Sequence, residues 1–371
     1  MTIVIVTDAW HPQVNGVVRS LAMTVERARR RGIAVDTITP DQFRTVPCPT
    51  YPEIRLAVGC GAKVGRQLDA IQPGSVHLAS EGPLGWAARR WCIARGRRFT
   101  TSFHTRFPDY VSVRTGLPAD WIWPVMRRFH GRADRTFAVT RTLADELERR
   151  GIGPVHLWPL GVDLALFRPD VTPHPAMAAL PRPILLNVGR VAVEKNLEAF
   201  LDSKVAGTKV IVGDGPALAS LRQRFPAALF LGTLHGAELA SAYAAADLFV
   251  FPSRTDTFGL VNIEALSAGL PVAAFPVAGP LDILGPDGRG VHGGTRAIGA
   301  LSDDLASAIR AALTAEPSAC VAEARHYDWD ACTDRFLAGL ARPANRELRA
   351  ASDPATTFPA ILPPDVTPMA T

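Results

Sequence analysis

The chain has 371 residues, 47% hydrophobic and 20% charged, which is enough to fill two cores of ordinary domain size and excludes a disordered or low-complexity protein. Its net charge of +5 is unevenly spread: residues 1–172 carry 24 Lys and Arg against 15 Asp and Glu, the remainder 16 against 20. Five scattered cysteines (48, 60, 92, 320 and 332), odd in number and without metal-ligand spacing, fit free thiols in a reducing cytoplasm better than a disulfide framework.

The first residues, Met1 to Asp8, have no basic leader and too short an apolar run for a signal peptide, and no run reaches membrane-spanning length. Ile3–Thr7 is short, β-branched and apolar, and predicts a buried strand. The loop Trp10–Gly16 follows, then a helical period from Val17 to Arg31 with Gly32 as its stop. Strands are expected at Ala34–Ile38, Val76–Leu78, Phe99–Phe103 and Thr136–Val139. A Pro-rich stretch near 160–183 predicts a linker. Strands resume at Ile184–Val188, Lys209–Val212, Ala228–Leu231, Leu248–Phe251 and Val272–Phe275. Strands alternating with helices imply α/β units with parallel sheets. Two such units place a cleft between them, a common ligand site. After Arg342 the Pro/Ala/Thr-rich sequence lacks periodicity and predicts a disordered tail, 342–371.

The richest stretch runs from Ser253 to Glu264, Ser-Arg-Thr-Asp-Thr-Phe-Gly-Leu-Val-Asn-Ile-Glu. Seven residues separate its two carboxylates, Asp256 and Glu264, with a Gly-containing turn and a helix start between them. A helix N-terminus offers unpaired N–H groups and partial positive charge, which suits a phosphate or sugar oxygen. One acid for a sugar and one for a ribose is what a nucleotide-sugar site needs; an N-capped helix with an exposed Glu is the plainer alternative. In Asn187–Asn196, Gly189 makes a tight exit from a strand, and Arg190 and Lys195 can converge on one diphosphate. Gly213, in Val212-Gly213-Asp214-Gly215-Pro216, marks a turn at a strand end, a weak signal. Leu234 and His235 lie between a strand and a helix, where backbone could meet a base edge. Asn15 and Gly16 follow the first strand, and Gly16 permits close backbone approach to a phosphate. His104 and Arg106, in Thr101–Pro108, follow a strand end where cleft residues sit, and Glu81 could face the same cleft. A P-loop, a dinucleotide fingerprint and a Gly-x-Ser-x-Gly elbow are all missing, and no His/Asp/Glu set has metal spacing.

In this order, Val188-Gly189-Arg190 with Lys195-Asn196, Val212-Gly213-Asp214-Gly215, and the acids around Phe258-Gly259-Leu260 resemble glycosyltransferase family 4, from residue 1 to about 341. That family has the GT-B fold, two Rossmann-like domains facing across a cleft, and transfers sugar with retention. It usually carries Glu where this chain has Asp256. The variant, with Gly279-Pro280-Leu281-Asp282 downstream, is similar to bacterial lipid mannosyltransferases and sulfoquinovosyl-diacylglycerol synthases. The resemblance implies an acceptor domain at 1–172, a donor domain at 173–325, and a helix at 326–341 returning to the first. It implies that Gly16 and Asn15 close on the donor diphosphate, and that Arg190, Lys195 and the Gly189 and Gly213 turns bind it. Leu234 and His235 would then flank the base and Glu264 hold the ribose. Asp256 and the backbone of Thr257, Phe258, Gly259 and Leu260 would hold the sugar. His104 would lie near the reacting carbon, with Glu81 and Arg106 toward the acceptor. No metal or other cofactor is expected, because two cations stand at the diphosphate.

Arg and Trp are dense over 85–135: Trp86, Arg89, Arg90, Trp91, Trp121, Trp123, Arg127, Arg128 and Arg132 among them. Such a mixture would suit an anionic membrane surface, and a solvated helix face over buried Trp is the alternative. The expectation is a peripheral enzyme on the inner face of the plasma membrane, moving a hexosyl group, mannosyl by preference, to a lipid or glycan acceptor. Despite the sequence pI of 9.2, no nucleic-acid module is present and no nucleic-acid partner is expected. A UDP-sugar transferase, a sugar-nucleotide epimerase and a non-catalytic nucleotide-sugar binder remain as alternatives.

Overall fold

The computed structural model describes residues 2–13, 16–48, 51–104, 107–108, 111–112, 116–254, 256 and 258–341, with the side chains of 51–53 excepted. The tail from 342, together with Asn15, Arg106 and Thr257, lies outside the described residues.

The first unit contains β1 (Ile3–Val6), β2 (Val35–Ile38), β3 (Thr45–Cys48), β4 (Tyr51–Ala57), β5 (Ser75–Leu78), β6 (Thr100–Phe103), β7 (Arg135–Ala138) and β8 (Val155–Leu157). Six of these form a sheet in the order β2-β1-β5-β6-β7-β8. Every pairing in it is parallel. The second unit contains β9 (Ile184–Val188), β10 (Thr208–Val212), β11 (Leu229–Gly232), β12 (Leu248–Phe251), β13 (Val272–Ala274) and β14 (Gly299–Leu301). Their order is β11-β10-β9-β12-β13-β14, again all parallel. Both sheets repeat one Rossmann-like winding, in which the first strand of the unit marks a reversal of strand order. Loops at the carboxyl ends of the strands on either side of that reversal diverge and leave a crevice.

The strands lie within one or two residues of the sequence expectation, because continuous β-branched runs are buried on both faces. Three features escaped it. The antiparallel hairpin β3/β4 is interrupted by prolines. Strand β8 is three residues long. Strand β14 is Gly-Ala-Leu, of low strand propensity, and is held at the sheet edge by pairing with β13.

The stretch expected to be a bare linker is partly packed. Phe167 is buried, with its ring edge-on to Tyr243 at 5.4 Å. One apolar cluster runs through Phe103, Trp123 and Leu143 of the first unit and Phe249, Phe258 and Tyr327 of the second. The peptide N–H of Thr142 donates to Asp282 Oδ1 at 3.1 Å, another contact between the units. Helix Trp329–Gly339 is capped by Asp328, which accepts from Asp330 and Ala331. It lies against helix Gly16–Arg30: Phe336 and Leu340 join Ile3, Ile5 and Leu21 in one core, and Arg27 and Arg31 pair with Asp330.

Candidate functional site

In the second unit the crevice lies between the loops after β9 and β12. Asn187 at the end of β9 donates to Val250 O at 2.9 Å, and Asn196 donates to Pro252 O at 3.1 Å. The first ties strand β9 to β12, and the second ties the loop after β9 to the loop after β12. Asn196 itself is left-handed (φ 54°), a conformation Asn tolerates better than most residues. Lys195 crosses the same gap, with Nζ 2.6 Å from Asp256 Oδ1. Asp256 Oδ2 is buried and, among the described residues, has no hydrogen-bond partner. The crevice therefore holds a carboxylate with one oxygen on a lysine and the other, among the described residues, without a partner. Arg190 is exposed on the β9 loop.

Glycines shape the floor. Gly213 has φ 137°, and a Cβ there would lie 1.9 Å from Gly189 O. The loops after β9 and β10 thus touch backbone to backbone, reinforced by Gly189 N–H to Val212 O at 3.0 Å and Val191 N–H to Asp214 O at 2.9 Å. Gly259 has φ 81° and caps helix Leu260–Ser267 at its N-terminus, in contact with the Phe251 ring and the Asn262 amide. Glu264 is therefore one turn inside that helix, which opens at Leu260.

Glu264 is buried, 2% exposed, and accepts from Tyr243 OH at 2.9 Å and from the Arg19 guanidinium of the first unit. Burial, with the Glu264 charge beside it, pushes the Tyr243 hydroxyl well above its ordinary value, so it stays a proton donor. Arg19 escaped sequence reasoning altogether; its one signal is a cation in the first turn of the first helix. A Cβ on Gly16 would stand 3.5 Å from Leu260 Cδ1, so the amino end of the first helix meets the amino end of helix Leu260–Ser267. The structure thus brings together Gly16, Arg19, Leu260 and Glu264 across the units, and Lys195 with Asp256 inside one.

Two expected residues contribute differently. The Leu234 and Phe258 side chains belong to the core, which leaves their backbone for any ligand. His235 is exposed at the N-cap of helix Gly236–Ala245.

The first unit has its own crevice between the loops after β1 and β5. Asp8 accepts from Ser80 Oγ at 2.7 Å and from Leu84 N–H at 3.0 Å, fixing both loops to the start of helix Pro83–Ala94. Burial raises its pKa. Glu81 follows β5 and contacts His130 Nε2 at 3.2 Å. His104 follows β6, buried, edge-on to Trp158 at 5.4 Å. Desolvation pulls its pKa down to about 4, so the imidazole is neutral near pH 7.

The Arg/Trp-rich stretch divides in two. Trp91 and Trp123 are core residues, and Arg89 is buried with Nε on Phe129 O at 2.9 Å, which corrects the picture of one mixed face. Helical periodicity sends those positions inward. Trp121 is 71% exposed, with Leu117, Val125 and Ile93 also exposed. A cavity of about 390 Å³ beside them is lined by Arg127, Arg128 and Arg132. Among the described residues no helix is long and apolar enough to cross a membrane.

Comparisons with known proteins fit this geometry. The family model "Glycosyltransferase Family 4" matches residues 14–166, and "Glycosyl transferases group 1" matches 182–315. The chain is 33% identical over 316 residues to a GDP-mannose-dependent alpha-mannosyltransferase of Mycobacterium tuberculosis, covering 78% of this chain and 82% of that one. It is 30% identical over 316 residues to the sulfoquinovosyl transferase of Arabidopsis thaliana, covering 79% and 61%. Among solved structures, sucrose-phosphate synthase from Thermosynechococcus elongatus superposes with a TM-score of 0.68 at 20% identity, covering 95% of this chain and all of that one (100%). Anabaena HepE in complex with UDP superposes with a TM-score of 0.64 at 15% identity, covering 91% and 99%. These neighbours share the GT-B architecture of two Rossmann-like units. From the paired sheets, the crevice acids and these relatives together, the chain belongs to glycosyltransferase family 4 and is a hexosyltransferase.

Proposed function

We propose that the chain transfers a mannosyl group from GDP-mannose to a lipid acceptor, with retention at the anomeric carbon, at the cytoplasmic face of the membrane. The observation that carries the reading is the Lys195–Asp256 contact at the strand-order reversal of the second sheet, with Glu264 held at its neighbouring helix. The named activities of relatives supply the donor: GDP-mannose-dependent mannosyltransferases of Mycobacterium tuberculosis, Mycolicibacterium smegmatis and Corynebacterium glutamicum match at 30–34% identity. In this reading residues 1–172 receive the acceptor, 173–325 the donor, and 326–341 close the first unit.

The chemistry follows from charge. As the sugar leaves, negative charge grows on the diphosphate and positive charge on the anomeric carbon. Lys195 and Arg190 stabilise the leaving group, with the amino end of helix Leu260–Ser267 and the turns at Gly16, Gly189 and Gly213 around it; a fixed donor of this kind is worth about 3 kcal/mol. Two cations at the diphosphate make a metal there unnecessary. Glu264 takes ribose hydroxyls as the donor displaces Arg19 from it, and Asp256 takes sugar hydroxyls through the oxygen not held by Lys195. His104, neutral, hydrogen-bonds the sugar without adding charge. Glu81 lies on the acceptor side, and Trp121 with Arg127, Arg128 and Arg132 rests on anionic lipid.

A second reading, a UDP-sugar donor with a diacylglycerol acceptor, is favoured by the sulfoquinovosyl transferase relative and by the alpha-monoglucosyldiacylglycerol synthase of Streptococcus pneumoniae, 27% identical. Incubation with labelled GDP-mannose, UDP-glucose and UDP-sulfoquinovose plus lipid extract separates the readings. Label in lipid from GDP-mannose is expected. Label from a UDP-sugar alone selects the second reading, and an isomerised donor or no turnover rejects both. Flotation with anionic vesicles at low salt tests the membrane arm by itself.

A further inference from the structure

We propose that His292, Glu323 and His326 form a binding site for a divalent first-row transition metal, zinc foremost, which fastens the loop after Gly285 to the end of helix Pro317–Ala324. The donor atoms of the three side chains all lie within 4.8 Å of one another. Zinc ligands about 2.1 Å from the metal in a tetrahedron stand about 3.4 Å apart, so a rotamer change at one histidine completes the set. Two imidazoles and a carboxylate with an open fourth position suit zinc, and nickel or copper after it. Glu323 and His326, three residues apart, sit where the helix runs into a 3-10 turn, while His292 arrives from a loop some thirty residues earlier.

The surroundings are built for a cation. Glu323 is 5% exposed, and its Oε1 lies 2.7 Å from His292 Nδ1 and accepts from Val291 N–H at 3.1 Å. A metal takes the position of the proton shared between His292 and Glu323. The His292 and His326 rings are stacked, with centroids 4.1 Å apart and an 11° interplanar angle; each nitrogen lone pair lies in its ring plane, so one ring turns out of the stack for both to reach a single metal. The loop approaches so closely that a Cβ on Gly290 (φ 89°) would lie 2.6 Å from the Glu323 carboxyl carbon. A cavity of about 320 Å³ opens beside the cluster. The two arginines on its rim are already engaged, Arg289 near Asp287 and Arg296 on Glu316.

The site would brace the donor pocket. The His292 ring lies edge-on to Tyr327 at 5.3 Å, and Tyr327 edge-on to Phe258 at 6.1 Å, two residues from Asp256. The site is structural and does not rest on the proposed donor or acceptor.

The test titrates zinc chloride into chelator-stripped, full-length protein by calorimetry, with a melting curve at each end. One zinc per chain, a Kd below about 1 µM and a rise in Tm are expected. His292→Ala and His326→Ala should each weaken binding at least about tenfold and abolish the rise; His292→Ala should also lower the metal-free Tm by a few degrees, because it removes the bond to buried Glu323. Should either variant fold poorly, His292→Gln and His326→Gln decide in its place. Absent stoichiometric binding, or binding that survives both substitutions, overturns the proposal. Cobalt loading adds a spectroscopic arm: d–d bands without a thiolate charge-transfer band support the His/Glu set, whereas a thiolate band assigns the metal to cysteine and overturns it.

Discussion

Asp256 and Glu264 are both acids at one crevice, and their partners set them apart. Asp256 has a lysine on one oxygen and none among the described residues on the other; Glu264 is filled by Tyr243 and Arg19. Asp256→Ala should therefore lower kcat by at least about a hundredfold while nucleoside diphosphate affinity, measured by calorimetry, does not fall. Parallel loss of both would mean the two acids have been assigned the wrong way round. His104 gives a prediction in pH. Its folded pKa of about 4 lies below the unfolded 6.5, so between these values the unfolded chain binds the extra proton. Stability then rises with pH through that window, and about 3 kcal/mol is lost on descending from 6.5 to 4. Urea melts of the wild type and His104→Gln across pH 4–7 check this: the variant should lose most of its share of the slope. Burial lowers His77 in the same direction, so some slope persists in the variant.

Single elements show how local sequence reaches the site. The β9 and β10 loops meet through glycines that admit no side chain, and Gly213 is the tightest point. Gly213→Ala should cost at least about 2 kcal/mol, read from the urea midpoint, because the new Cβ would overlap Gly189 O and φ 137° is unfavourable for alanine. Helix Trp329–Gly339 offers a contrast of magnitudes. Phe336, 1% exposed among His77, Phe137 and Trp158, should cost about 3–5 kcal/mol as alanine. Asp330, half exposed on Arg27 and Arg31, should cost about 1 kcal/mol or less. Equal losses would mean the helix is held by charge rather than by its apolar face.

At the scale of the whole molecule, the alternation of buried strands and helices was legible because parallel strands need continuous apolar runs. The local strings that carry Lys195, Asp256 and Glu264 were visible too, since each has its own turn chemistry. Strand order was not legible, and strand order is what creates the crevice. Lys195 and Asp256 are sixty-one residues apart and meet only because β9 and β12 are neighbours. Arg19 and Glu264, 245 residues apart, carry no mutual signal in one sequence. The His292 cluster was missed for the same reason: two of its members are neighbours on a helix end, while the third depends on where a loop returns. Long-range closeness follows from winding, and winding is a property of the assembled sheets.

The Lys195–Asp256 contact has a consequence for turnover. In the proposed reading a sugar donor draws the lysine to its phosphates and gives Asp256 hydroxyl hydrogen bonds in exchange, so the carboxylate keeps partners. The departing nucleotide offers the same phosphates without hydroxyls, and it would engage the lysine only by leaving a half-buried carboxylate bare. On that reading donor should bind more tightly than spent nucleotide, and re-forming the ion pair would favour product release.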